Sequence, residues 1–126
     1  MIFLTVELVE ALQAQMIDRY GGAHGLRDRG LLESAVVRAE NTAYYSDNLS
    51  VAEAGASLAW GLIKNHPFID GNKRAGFVAL VTFLELNGHR LMCSEDEETA
   101  MVLRAAASEI TEDEWTAWVV RSAEKV

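Results

Sequence analysis

Apolar residues recur along the chain with a spacing near 3.6, and there is a single proline in 126 residues, which together point to a mainly helical protein. Residues 5–19, TVELVEALQAQMIDR, place Leu8, Leu12 and Met16 on one face, with Thr5 as the cap and Gly21–Gly22 as the stop. After a polar loop containing Gly25 and Asp28, GLLESAVVRAE predicts a second helix. NTAYYSDN, residues 41–48, has no helical stripe and reads as an exposed loop or short hairpin. Ser50 with Glu53 opens a third helix, which ends near Asn65 because Pro67 disfavours helical geometry in the residue before it. Residues 72–86 predict a strongly apolar helix closed by Asn87-Gly88, and HRLMC predicts a short extended piece. Ser94 with Glu97 and Thr111 with Glu114 then mark two more helices, over 95–108 and 112–124. With no repeats, linkers or low-complexity tracts, the expectation is one all-α domain over residues 1–126.

The totals narrow the class. A chain of this size folds without a disulfide or metal, and its lone cysteine, Cys93, fits a reducing, cytoplasmic setting. MIFLTVELVEAL has no basic leader and is broken by Glu7 and Glu10, so neither a signal peptide nor a membrane span is expected. A net charge of -8 argues against nucleic acid as the main partner, since phosphate binding needs basic surface. Trp115 and Trp118 near one face of the last helix are expected in the core. The acidic run EDEE, 95–98, reads as first-turn charge favoured by the helix dipole rather than as a metal site.

One stretch stands out. NHPFIDGNKRAG, residues 65–76, packs His66, Asp70, Gly71, Asn72, Lys73 and Arg74 between two apolar runs. That places the polar cluster at a helix start inside the core, where free backbone N–H groups and the dipole attract anions. Lys73 and Arg74 in the first turn oppose the dipole, an arrangement that makes sense when a polyanion lies among them, met by Lys73 as a point charge and by Arg74 as a fork. Asp70 becomes useful as a ligand of Mg²⁺, which is commonly held by one or two carboxylates plus phosphate oxygens. His66 suits the role of a base for a hydroxyl at neutral pH. Phosphoryl or nucleotidyl transfer needs this positioning and charge. Each residue also has an ordinary use: Asp70 as a cap, Lys73 and Arg74 as solvated charges, His66 as a loop residue, Phe68 as the anchor of the loop.

HPFIDGNKR resembles the Fic/Doc (Fido) signature H-x-F-x-[DE]-[GA]-N-[GK]-R at seven positions, from His66 and Phe68 to Asp70, Gly71, Asn72, Lys73 and Arg74. Arg19 to Arg38 and VTFLELNGHRL resemble the death-on-curing (Doc) toxin branch, so the likeness covers nearly the whole chain. The resemblance implies a Fido-type helical bundle with a short flap before the motif helix, and 41–48 is the matching position for a flap that docks an extended piece of the target. AMP-transferring relatives usually carry glycine at position 73 and a second arginine at 77, where this chain has Lys73 and Phe77. Doc toxins share both departures. For them the resemblance implies transfer of the γ-phosphate of ATP to a threonine of the elongation factor EF-Tu, arresting translation.

Carried over, His66 is the base, Asp70 the Mg²⁺ ligand, and Gly71, Asn72, Lys73 and Arg74 the phosphate binders. Lys64 joins them where Doc toxins carry a basic residue two before the histidine. The inhibitory segment [ST]-x-x-x-E-[GN] of many relatives has no match: Ser94 and Glu98 are correctly spaced but Thr99 follows. Restraint is therefore expected from an antitoxin whose disordered tail folds over the site. Two alternatives stay open: AMP transfer to a protein hydroxyl, which Gly71 suits, and a degenerate binding module paired with an antitoxin.

Overall fold

A computed structural model of the chain describes residues 1–45 and 50–126. In chain order it comprises α1 (Val6–Tyr20), α2 (Arg29–Tyr45), α3 (Val51–Asn65), α4 (Asn72–Leu86), β1 (His89–Leu91), α5 (Glu95–Ala106), α6 (Glu112–Ser122) and β2 (Ala123–Lys125). The all-α expectation holds, with one small addition: β1 and β2 pair antiparallel, His89 opposite Lys125 and Leu91 opposite Ala123. Of HRLMC, His89–Leu91 form the extended piece the sequence suggested, while Met92 and Cys93 leave the strand; its partner strand was not foreseen.

Four of the helices start where the sequence put a capping residue. Thr5, Ser50, Ser94 and Thr111 each accept the N–H three residues on through their hydroxyls. Of the three reciprocal boxes expected, the one at Thr111–Glu114 is complete. At Ser94 the returning bond is lost because Glu97 accepts the indole N–H of Trp118 instead, at 3.2 Å.

The loop or hairpin expected over 41–48 is corrected at its front half. Asn41–Tyr45 complete α2, and 46–48 lie outside the described residues. The reason is that the inward stripe Leu32, Ala35, Ala39 continues at helical spacing to Thr42, whose hydroxyl donates to Ser57 Oγ on α3 at 3.2 Å. The face of α1 is corrected by one residue as well. Val9, Gln13 and Ile17 are buried, while Leu8 is exposed and Leu12 and Met16 are half-buried.

α3 is the central element, packed against α2, α4, α5 and α6. It is apolar nearly all round, the signature of a buried helix. Leu58 and Leu62 face one core with Val9, Leu32, Phe68 and Phe83. Ala56, Ala59 and Ile63 face a second with Leu80, Leu84, Trp115 and Trp118. Each large side chain buried in this way contributes about 1.5–3 kcal/mol. The tryptophans are core residues, as expected, and Trp115 donates its indole N–H to the Ala56 carbonyl at 3.0 Å. Arg38 ties α2 to α3 through the Ser57 carbonyl, 3.1 Å, and to α6 through Glu112. α4 packs on α3, so its start and the end of α3 are set beside each other at the rim of the core.

Candidate active site

Between α3 and α4 the chain runs through six residues, 66–71, whose shape is fixed from outside. The loop before α2 lies alongside it: Arg27 N and Asp28 N donate to the Pro67 carbonyl at 2.8 and 3.0 Å, and Ile69 N donates to Gly25 O at 3.0 Å. Leu26 and Phe68 form an isolated antiparallel bridge. Phe68 is buried, as the sequence suggested. Asn72 closes the loop from within. Its Oδ1 accepts the Phe68 N–H at 2.9 Å and its Nδ2 donates to the Phe68 carbonyl at 3.0 Å.

Asp70 is held on both oxygens. Ala23 N donates to Oδ2 at 3.2 Å and Gly71 N to Oδ1 at 2.8 Å, while Gln13 Nε2 donates to the Asp70 carbonyl at 3.0 Å. Gly22 makes this approach possible, since a Cβ there would stand 2.7 Å from Oδ2. Gly71 caps α4 in the left-handed region, φ 72° and ψ 22°, with no side-chain bond to the helix start. A glycine adopts this geometry without the penalty of a Cβ. The N–H groups of the first turn are thereby left facing outward, beside the side chains of Lys73 and Arg74.

A cleft of about 980 Å³ opens there. Its polar end is formed by His66, Asp70, Gly71, Asn72, Lys73 and Arg74, and its floor by Phe77, Val78 and Val81 of α4. Met16 and Tyr20 of α1 close one side; Glu98, Thr99, Val102 and Leu103 of α5 close the other. A smaller cavity of about 440 Å³ adjoins it and shares His66 and Lys73. Lys73 and Arg74 are exposed, and among the described residues neither is paired with a carboxylate. The Arg74 guanidinium instead lies over the Tyr20 ring, 4.6 Å from its centroid, a contact worth about 0.5–1 kcal/mol at an exposed site.

Six of the seven residues singled out in the sequence therefore line one cleft. Asn72 does so with its amide spent on Phe68, so what it offers outward is backbone. Lys64 lies apart. Its ammonium donates to the Ala105 carbonyl and Ser108 Oγ, at 3.0 and 2.5 Å, and sits 5.4 Å from the Trp60 ring. It joins the end of α3 to the end of α5. Arg27 and Ala23 were not foreseen as supports because each acts across the fold; for Gln13 the one local sign was a glutamine among the apolar positions of α1.

Glu98, last of the acidic run, does reach the cleft. Burial pushes its carboxyl above the usual range, a nearby bond from the Cys93 thiol pulls it back, and Glu95 pushes it up again. Cys93 lies 3.7 Å from Glu98 Oε1, and burial, then the Glu98 charge, raise its thiol to about 11. A thiol held this high is a packing group beside the cleft, not a nucleophile. With its thiol near 11 against 9.0 for an ordinary one, Cys93 should react with iodoacetamide at pH 8 about 100-fold more slowly than a free thiol, since thiolate is the attacking form. Mass-spectrometric alkylation rates measure this, and a rate matching free cysteine would refute it.

Whether the site suits Mg²⁺ rests on Asp70. Among the described residues no group of three or more His, Cys, Asp or Glu side chains converges, so an all-protein cage is absent there. Asp70 is a single fixed carboxylate on the cleft wall, and each of its oxygens keeps a lone pair beyond the bond it accepts. That fits an ion bound by one carboxylate with the rest of its shell from phosphate and water.

Fold and cleft together define a mostly helical protein whose pocket opens at a cationic helix start. Residues 3–84 match the model of the Fic/DOC family. The chain is 39% identical over 82 residues to a Toxin Doc of Mycolicibacterium smegmatis, a match covering 64% of this chain and 63% of that toxin. It is 30% identical over 108 residues to the Protein kinase doc of Escherichia phage P1, covering 86% and 85% of the two chains. The Mycolicibacterium match thus spans less than two thirds of its relative. Among solved structures the chain resembles BepC, a VirB-translocated effector of Bartonella tribocorum solved with AMPPNP bound, at a TM-score of 0.55 and 17% identity over 78% of this chain and 49% of that one. The chain belongs to the Fic/Doc family. Among the described residues no helix is long and apolar enough to cross a membrane.

Proposed function

We propose that this chain is a Doc-type toxin, a single domain over residues 1–126 that transfers the γ-phosphate of ATP to a hydroxyl of a translation factor resembling EF-Tu. The observation that carries this reading is the start of α4: uncapped by any side chain, with Lys73 and Arg74 free of carboxylates among the described residues, and opening beside His66. Such a start binds phosphate through backbone N–H groups and the dipole. Lys73 and Arg74 neutralise the charge that spreads over the transferred group. His66 Nδ1 or Nε2 takes the proton of the attacking hydroxyl, and the bound geometry supplies the rest of the rate. Mg²⁺ on Asp70 would neutralise phosphate charge. Likeness to the phage protein named a kinase supports phosphoryl rather than nucleotidyl transfer. So do Lys73 and Phe77, both lining the cleft, where AMP-transferring relatives usually have a glycine and a second arginine.

An antitoxin with a disordered tail is the partner proposed to cover this cleft in the cytoplasm, since the apolar floor between α4 and α5 suits a segment that folds on binding. ATP labelled separately at the α and γ positions tests the reaction. Label should pass to the protein target from the γ position alone; label from the α position alone would replace the kinase with an AMP transferase.

A further inference from the structure

His66 is the last thing a helix end would arrange by itself. It follows α3 with φ 50° and ψ 56°, a left-handed conformation that costs a residue with a Cβ about 1–2 kcal/mol. Pro67 already disfavours the right-handed helical region for it, and that leaves extended geometry as the easy choice. What opposes this choice is a side chain 39 positions earlier in the chain. Arg27 Nε donates to the His66 carbonyl at 2.7 Å, and Arg27 Nη2 donates to the Asn65 carbonyl at 2.9 Å. These are two of the carbonyls that a helix leaves without partners at its end. A guanidinium presents its donors in one rigid plane, so gripping both oxygens fixes the two peptide planes on either side of the His66 Cα and hence the direction in which the imidazole leaves the backbone. Arg27 forms no ion pair with a carboxylate among the described residues, and its side chain is exposed. The guanidinium is therefore not explained by core packing or by charge pairing.

We infer that Arg27 is a positioning residue for the reaction: its fork on the last two carbonyls of the α3 end holds His66 left-handed and aims its ring into the junction of the two cavities. This rests on His66 being the base, as proposed above. The backbone bonds of this loop, from Arg27 N and Asp28 N to Pro67 O and from Ile69 N to Gly25 O, do not involve the side chain. Substituting Arg27 therefore removes the fork and leaves the pairing of the two loops in place.

Full-length Arg27→Ala and Arg27→Lys, compared with the parent, test the assignment by two independent measurements. In Arg27→Ala, kcat for transfer should fall about 10–100-fold, with affinity for magnesium ATP by calorimetry unchanged within about twofold, because misaiming a reacting group costs rate rather than binding. Arg27→Lys keeps a charge and donors without the rigid fork, and should recover part of the loss. The backbone chemical shifts of His66, which distinguish left-handed from extended geometry, should move in Arg27→Ala and less so in Arg27→Lys. An unchanged kcat, or affinity falling in step with kcat, overturns the inference; so do His66 shifts that stay at the parent values. If the parent and His66→Ala transfer equally little, the proposed reaction has failed. The shifts then decide alone whether Arg27 sets the conformation of His66.

Discussion

His66→Ala should keep its magnesium nucleotide and lose transfer by about 10²–10⁴ in kcat, the range contributed by a positioned general base. The separation of the two effects follows from where the groups sit. Phosphate would be held by the start of α4, by Lys73 and by Arg74, whereas His66 stands at the other end of the 66–71 loop, where the two cavities meet. Calorimetry with magnesium ATP and a label-transfer assay measure the two halves. In cells, the variant should no longer arrest growth. If His66→Ala is as toxic as the parent, catalysis is not the route to toxicity, and a binding module becomes the better description. No heat from any magnesium nucleotide with the uninhibited parent would remove the nucleotide site itself.

The second large effect is expected at Asn72, and on stability first. Asn72 is 9% exposed and Phe68 2% exposed, so neither the Phe68 N–H nor its carbonyl has water to turn to when the amide is gone. Each buried orphan costs about 1–3 kcal/mol, so Asn72→Ala should lose about 2–6 kcal/mol and melt roughly 10 °C or more below the parent. Transfer should fail with it, because the loop that Phe68 and Asn72 close also carries His66 and Asp70. Asn72→Asp is the informative companion. It keeps an acceptor for the Phe68 N–H but aims a second oxygen at the Phe68 carbonyl, so it should be no more stable than the alanine variant at neutral pH. A melting temperature within about 2 °C of the parent for Asn72→Ala would show that the brace is not carrying the loop.

Asn72 also illustrates what could be read before the fold was seen. Its place in the motif was plain, and a phosphate role through backbone and side chain was the expectation; the bonds of its amide to Phe68 were not legible there. The capping residues were legible because a cap is a local event, a hydroxyl and an N–H three residues apart. The box at Ser94 failed at the point where locality ends, with Glu97 drawn off to Trp118 from 21 residues away. The face of α1 was misjudged because Gln13 is polar by composition and buried by use. The extension of α2 through Tyr45 was hidden by a segment without an apolar stripe, where Thr42 is secured by a hydroxyl rather than by hydropathy. Lys64 was expected at the site through the resemblance to Doc toxins, and its bonds to the end of α5 had no local sign. Cleft residues adjacent in sequence were found; the supports that hold them, Arg27, Ala23 and Gln13, were not.

The loop between α3 and α4 owes its outline to donors on a loop some forty residues upstream, at Ala23, Arg27 and Asp28. Grafting NHPFIDGNKRAG onto another helical hairpin would therefore transplant every reactive side chain and leave the mould behind. The portable unit is the pair of loops, and an engineer borrowing this chemistry would have to move both.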